Sequence, residues 1–362
     1  MLHVYTCKVT RVWAPSCETF VKVFNRKKPI KLADFSKIAV LGSGSWATAL
    51  VKILCENNTN VGWYMHNETI YEHLQEEGHN PNYLSSVEFD LNRLSLYTCL
   101  NEIAGDYDVF IIAIPSFYLD SSLESLTTSI ENKIIFSAVK GIVPERKMLV
   151  GNYLAEKFNV PKTHLGAITG PCHAEEVALE RLSYPTVAST NVELAKQMKS
   201  KLDCSYIRTA TTDDVVGTEY AAMLKNVYAI AVGMAHGLGY GDNFVSVLIS
   251  SAMREMKRFI KGVDNKKRNI NKSAYLGDLL VTAYSVFSRN RMLGNMIGKG
   301  YTVKAALMEM TMVAEGYYGA RTAYELSKSF NGKYPIMDCV YHVLYEKASA
   351  KKKIKALSQV LN

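Results

Sequence analysis

The sequence predicts an α/β protein: a doubly wound parallel sheet over residues 37–212, then an all-helical half over residues 213–362, behind an extension of residues 1–36. Three features carry that expectation. Short apolar runs bounded by turn residues alternate with helical stretches, the pattern of a parallel sheet with right-handed crossovers. "KIAVLGSGSWATALVKILCENN" passes from an apolar run, Ile38 to Leu41, through Gly42 and Gly44 into helical spacing at Ala49, Leu50, Ile53 and Leu54. From about Asp213, Gly and Pro thin out, and apolar-periodic stretches run over 213–236, 243–262, 301–328 and 335–358.

The elements follow in order. "TNVGWYM" reads as a second short strand after the one ending at Leu41. "DYDVFIIAIPS" (106–116) and "NKIIFSAVKG" (132–141) are continuous apolar runs, as in strands covered on both faces. "HLGAITGP" and "YPTVAST" suggest two more. The junction between the halves is expected in "IRTATTDDV", residues 207–215.

Composition narrows the function classes. The 362 residues, 48% hydrophobic and 21% charged, suit a globular chain of about two domains. The net charge of +8 sits at the ends: seven Lys or Arg against Glu18 and Asp34 in residues 1–36, and five Lys without an acid in residues 347–362. A slightly acidic body argues against a nucleic-acid footprint. Seven cysteines without a CxxC or a Cys/His cluster indicate no zinc or other metal site and no disulfide framework, so reduced thiols in the cytoplasm are expected. The first 36 residues lack the apolar run of a secretory signal and read as a poorly ordered start. "EYAAMLKNVYAIAVGMAHGLGYG" (219–241) is the best candidate for a membrane span, but Lys225, Asn226 and four glycines argue against one.

Gly42-Ser43-Gly44-Ser45-Trp46-Ala47 fits G-x-G-x-x-(G/A) between strand and helix. The first glycine permits the tight turn, the second lets a pyrophosphate approach the backbone, and Ala47 allows close helix–strand packing. N–H groups at the helix start then face the anion. This is the dinucleotide-binding pattern of a Rossmann-type domain. The ribose-binding carboxylate expected about 20 residues on is missing, since the second strand ends Tyr64-Met65-His66-Asn67 and Glu68 comes late. That tilts the cofactor slightly toward NADPH over NADH. His66 reads either as a contact for a 2′-phosphate or as a surface loop histidine.

Lys225 poses the sharper question. It is the one permanently charged side chain between Glu219 and Asp242. Either it snorkels from the helix edge to water, or it is buried for a purpose, with a pKa lowered toward neutrality. Its company favours the second reading. Lys140 and Gly170 end strand-like runs where an open α/β sheet forms its ligand crevice. Asp278, Thr282 and the run Ser288-Arg289-Asn290-Arg291 follow, with Ser288 as an N-cap and an Arg beside the freed N–H groups, an anion site.

In order and approximate spacing, "GSGSWATAL", "AVKG", "GPCHAEE", "LKNVYAIAVGMAHGLGYGDN", "GDLLVTAYSVFSRNRMLG" and "VAEG" resemble the NAD(P)-dependent glycerol-3-phosphate dehydrogenases of bacterial type, over roughly residues 37–345. The resemblance implies interconversion of dihydroxyacetone phosphate and sn-glycerol 3-phosphate, supplying the backbone of phospholipids, by a cytoplasmic homodimer. It makes Lys225 the proton donor or acceptor, Lys140 a lysine that contacts substrate and cofactor, and Asp278 a substrate-binding residue, which we expect also to orient Lys225. Gly170, Thr282, Ser288, Arg289 and Asn290 complete the substrate site, Arg289 holding the phosphate. Ser45, Trp46, His66, Ala174, Val313 and Glu315 are cofactor positions, alongside Gly42, Gly44, Ala47, Lys140 and Arg289. Cys172 and His173 depart from the family's usual Ser/Thr and Phe. Two other readings remain: a related hydroxy-acid dehydrogenase, and a non-catalytic nicotinamide-binding sensor, which would have no use for the lysines and Asp278.

Overall fold

The structure, a computed structural model, describes residues 34–361 except Asn58. The extension expected at residues 1–36 lies outside the described residues as far as residue 33. Among the described residues eight strands form one sheet: β1 (Lys37–Leu41), β2 (Asn60–Tyr64), β3 (Leu94–Tyr97), β4 (Val109–Ile112), β5 (Ile134–Ser137), β6 (Leu165–Thr169), β7 (Thr186–Ser189) and β8 (Ala210–Thr212). Their order is β3-β2-β1-β4-β5-β6-β7-β8. Helices α1 (Ser45–Glu56), α2 (Glu68–Glu77), α3 (Leu100–Asp106), α4 (Ser116–Ser122), α5 (Val150–Phe158), α6 (Ala174–Ala178) and α7 (Val192–Leu202) connect them. Every residue of β4 and β5 is buried, which is why these strands read as unbroken apolar runs.

Two details differ from expectation. The pair β6–β7 is antiparallel, with Ala167 opposite Ala188, so the sheet is mostly rather than wholly parallel. A strand buried throughout looks the same in sequence whichever way it runs. β3 and β8 were not anticipated: both are short and partly exposed edge segments without a continuous apolar run.

After the sheet come α8 (Val215–Gly237), α9 (Asp242–Val263), α10 (Asp278–Tyr284), α11 (Arg289–Gly298), α12 (Val303–Met308), α13 (Glu315–Ser327), α14 (Pro335–Tyr345) and α15 (Ala350–Leu357). α8 is the axis of this half. All its residues from Gly217 to Ala235 are buried, wrapped by the other helices. Glycines let α11 lie directly on it. A Cβ on Gly294 would sit 2.1 Å from the Ile230 carbonyl oxygen, and one on Gly233 2.1 Å from that of Arg291. The helical stretch expected over 301–328 is interrupted between Met308 and Glu315, and that interruption reaches the site. No helix among the described residues is long and apolar enough to cross a membrane.

Candidate active site

The strand order reverses between β1 and β4, the switch point where an open α/β sheet receives its ligand. There β1 turns at Gly42, whose φ of +123° suits glycine, and a Cβ would meet Ala113 O at 2.9 Å. At Gly44 an added Cβ would have no described atom within 4 Å, so the backbone faces open space. Gly44, Ser45 and Trp46 line a cleft of about 280 Å³. An exposed loop backbone leading into the unsatisfied N–H groups of a helix start is the donor set that a pyrophosphate takes, so the residues present fit a dinucleotide.

Across the cleft lies Lys225, 3% exposed, its ammonium bonded to the carboxylate of Asp278, 1% exposed. The two come from α8 and the first turn of α10, which a π-helical turn, Ser273–Gly277, introduces. The snorkelling reading of Lys225 therefore fails. Burial pushes its pKa down to about 8; Asp278 opposes the shift and Lys140 adds to it. Asp278 Oδ2 is buried without a hydrogen-bond partner among the described residues. Such a group is costly to leave unpaired.

Lys140, just beyond the carboxyl end of β5, donates to Cys172 O at 3.0 Å and lies 5.0 Å from the Trp46 ring centroid. Asn226 Nδ2 holds its backbone, donating to Lys140 O at 2.8 Å. On the far side Ser288 caps α11, accepting from Arg291 N at 3.3 Å. Arg289 packs by Nη1 against Met312 Sδ at 3.2 Å. Asn290 Oδ1 accepts from Gly316 N at 2.8 Å, fixing α11 to the start of α13. Glu315 accepts from both the N–H and the hydroxyl of Ser116, and burial raises its pKa against those bonds. Thr282 donates its hydroxyl to Asp278 O at 2.7 Å.

The expected residues largely converge. On the substrate side, Lys140, Lys225, Thr282, Ser288, Arg289 and Asn290 line the cleft; on the cofactor side, Ala174, Val313 and Glu315 join the glycine loop. Gly42, Ala47, Gly170 and Asp278 stand behind that lining. Gly170 takes φ +90°, where a Cβ would crowd Tyr184 O at 3.0 Å. His66 stands apart: it is exposed just past β2 and does not line the cleft. Cys172 and His173 do line it. The His173 imidazole, pushed down to about 3 by burial and the two lysines, is neutral, with Nε2 unpartnered among the described residues. Asn226, Tyr118 and Met312 also face the cleft and were not anticipated. Asn226 could have been suspected as a second polar residue in a helix otherwise apolar around it; Met312 carries no such signal.

Residues 37–195 match the family model described as NAD-dependent glycerol-3-phosphate dehydrogenase N-terminus, and residues 214–355 match its C-terminus. The chain belongs to the NAD-dependent glycerol-3-phosphate dehydrogenases. A glycerol-3-phosphate dehydrogenase [NAD(P)+] of Bacillus pumilus is 34% identical over 312 residues, covering 86% of this chain and 90% of that one. The protein of the same name from Chlorobium limicola is 33% identical over 311 residues, covering 85% and 93%. The crystal structure of glycerol-3-phosphate dehydrogenase from Coxiella burnetii superposes with a TM-score of 0.81 at 28% identity, covering 89% of this chain and 98% of that one. As a glycerol-3-phosphate dehydrogenase family member the chain is an NAD(P)-linked oxidoreductase, and the two matched segments hold the glycine loop and the Lys225–Asp278 pair respectively.

Proposed function

We propose that the protein reduces dihydroxyacetone phosphate to sn-glycerol 3-phosphate, and catalyses the reverse, providing backbone for phospholipids. The observation that carries this is the buried Lys225–Asp278 pair in a cleft between the glycine loop and the Arg289 helix start. When bound, the reduced nicotinamide supplies the hydride. Lys225 gives its proton to the oxygen of the reacting carbonyl, and its pKa of about 8 lets it serve as acid in one direction and base in the other. Lys140 adds positive charge against the developing alkoxide. Asp278 keeps the Lys225 ammonium aimed from behind the lining of the cleft. Arg289 and the capped start of α11 bind the phosphate, so that remote binding energy orients the carbonyl. Glu315, Val313 and Ala174 border the cofactor side.

The want of a carboxylate at the tip of β2 supports NADPH over NADH, since no anion there would repel a 2′-phosphate. Exposed apolar side chains at Tyr284, Val286 and Met292 are compatible with assembly as a homodimer, and the cytoplasm, where thiols stay reduced, is its proposed location.

The test is loss of reduced-nicotinamide absorbance by the purified protein with dihydroxyacetone phosphate and with 2-keto acids, using NADPH and NADH in parallel. Turnover with dihydroxyacetone phosphate, more efficient with NADPH, is expected. Turnover with 2-keto acids only would make the protein a hydroxy-acid dehydrogenase and overturn the proposal.

A further inference from the structure

The glycine loop is held from behind, carbonyl by carbonyl. Trp63 Nε1, from β2, donates to Gly42 O at 2.8 Å. Asn80 Nδ2 donates to Ser43 O at 3.0 Å. Thr48 Oγ1, from α1, donates to Gly44 O at 3.1 Å and accepts the second Asn80 N–H at 3.1 Å. All three side chains are 0% exposed. The Asn80 oxygen is spent as well, accepting from Asn82 N at 3.1 Å and Tyr83 N at 3.2 Å, and Tyr83 lines the cleft. One buried carboxamide therefore joins the loop, the first helix and the segment after α2, with each of its hydrogen-bonding sites in use.

The direction of these bonds has a consequence for the opposite face of the loop. In a trans peptide the C=O of one residue and the N–H of the next point in opposite directions. Fixing the carbonyls of Gly42, Ser43 and Gly44 toward the interior turns the N–H groups of Ser43, Gly44 and Ser45 the other way. Gly44 and Ser45 line the cleft. Peptides flanked by glycine rotate readily. The Gly44 carbonyl is also held by the Thr48 N–H at 3.0 Å within α1, so it is the carbonyls of Gly42 and Ser43, and with them the N–H groups of Ser43 and Gly44, that depend on the clamp.

We infer that Asn80, with Trp63 and Thr48, is a positioning residue that presets the loop N–H groups for the pyrophosphate of the cofactor without touching it. This rests on the dinucleotide reading of the cleft. The residues lower the cost of ordering the anion site at the moment of binding, so they act on cofactor affinity and leave the proton-transfer machinery around Lys225 alone.

The test compares the full-length wild type with Asn80→Asp and Thr48→Val. Asn80→Asp keeps the oxygen that accepts from Asn82 and Tyr83 and loses the donors to Ser43 O in the loop and to Thr48 Oγ1 on α1. Thr48→Val removes the hydroxyl that bonds Gly44 O and Asn80 Nδ2 without adding charge, and leaves the backbone N–H bond to Gly44 O. The readouts are dissociation constants for NADPH and for ADP-ribose, which bears the pyrophosphate but no nicotinamide, with the melting temperature of each ligand-free protein and its kcat and ketone KM at saturating cofactor. Asn80→Asp should weaken both ligands by about 10- to 100-fold and Thr48→Val by about 5- to 10-fold, the loss expected when buried hydrogen bonds are broken. The kcat and ketone KM should stay within about twofold of wild type, since those terms report chemistry and substrate binding rather than cofactor affinity. Folded variants that bind ADP-ribose as tightly as wild type would overturn the inference. So would parallel losses in kcat and ketone KM, which would mark a merely structural role. If Asn80→Asp does not fold, Thr48→Val decides. A wild type that binds neither ligand would instead remove the dinucleotide reading itself, a distinct failure.

Discussion

Lys225 and Asp278 face each other inside the helical half with side chains only 4% and 1% exposed, so an ion pair stands where water scarcely reaches. A pair so desolvated is poor material for stability, because the Coulombic gain barely offsets the desolvation. Its position in the cleft gives it another use. Burial destabilises the ammonium enough to bring its proton within reach of neutral pH, while the carboxylate keeps the group from being neutral altogether.

The pH dependence follows in sign. Below about 8 Lys225 carries the proton that ketone reduction consumes; above it the free amine is the form that alcohol oxidation requires. The kcat/KM for reduction should be level below that value and fall about tenfold per unit above it. Oxidation should rise up to the same value and then level off. Profiles measured in both directions check this, and a reduction profile flat through that region would contradict it.

Arg289→Ala should raise KM for the phosphorylated ketone by about 10- to 100-fold, the loss of a charge-assisted contact to phosphate. Dihydroxyacetone without its phosphate should be turned over no worse than by wild type. Steady-state kinetics with the two ketones decide, and equal losses on both would show that Arg289 does something else.

Gly294→Ala tests how the site is carried. The new Cβ would lie 2.1 Å from the Ile230 carbonyl oxygen, so α11 must move off α8. Overpacking of this kind costs about 1 to 3 kcal/mol in denaturant unfolding. Because Arg289 and Asn290 start α11, KM for the phosphorylated ketone should rise with it. Unchanged unfolding would mean that the two helices are not in fixed contact there.

Glu219, on α8, is buried with a single backbone N–H, that of Gly151, beside its carboxyl, and burial raises it to about 8. The folded protein therefore keeps this proton up to about pH 8, whereas the unfolded chain releases it near 4.5. Between those values the folded state binds more protons, so stability falls as pH rises through the window. Glu219→Gln should make the decline of melting temperature with pH shallower, leaving the share due to Glu255, which is raised to about 8 in the same way. Calorimetry over that range checks it; an unaltered slope would count against the assignment.

Much of this was legible in the residues, for physical reasons. A strand buried on both faces must be apolar throughout, so β1, β4, β5 and β6 announced themselves. An ammonium alone in an apolar helix is costly enough to be noticed, which singled out Lys225. Its partner Asp278 lies 53 residues away, and only family likeness, not spacing, joined the two. β7 was legible as a strand, but its antiparallel direction left no trace, because burial hides strand direction. The break between α12 and α13 was missed because Thr311, Met312 and Val313 continue an apolar stretch without a Gly or Pro to end it. Asn80 was invisible for a related reason: a buried loop carboxamide has no period, and its importance lies wholly in what it bonds. His66, named by its place at a strand end and by family likeness, is exposed just past β2 and is not among the residues lining the cleft.

The most direct measurement of the central claim is the turnover of Lys225→Met with dihydroxyacetone phosphate, alongside its affinity for the reduced cofactor. The account predicts a kcat lower by at least about a hundredfold, the usual contribution of a positioned general acid, with cofactor binding nearly intact. A variant that kept most of its kcat would contradict it.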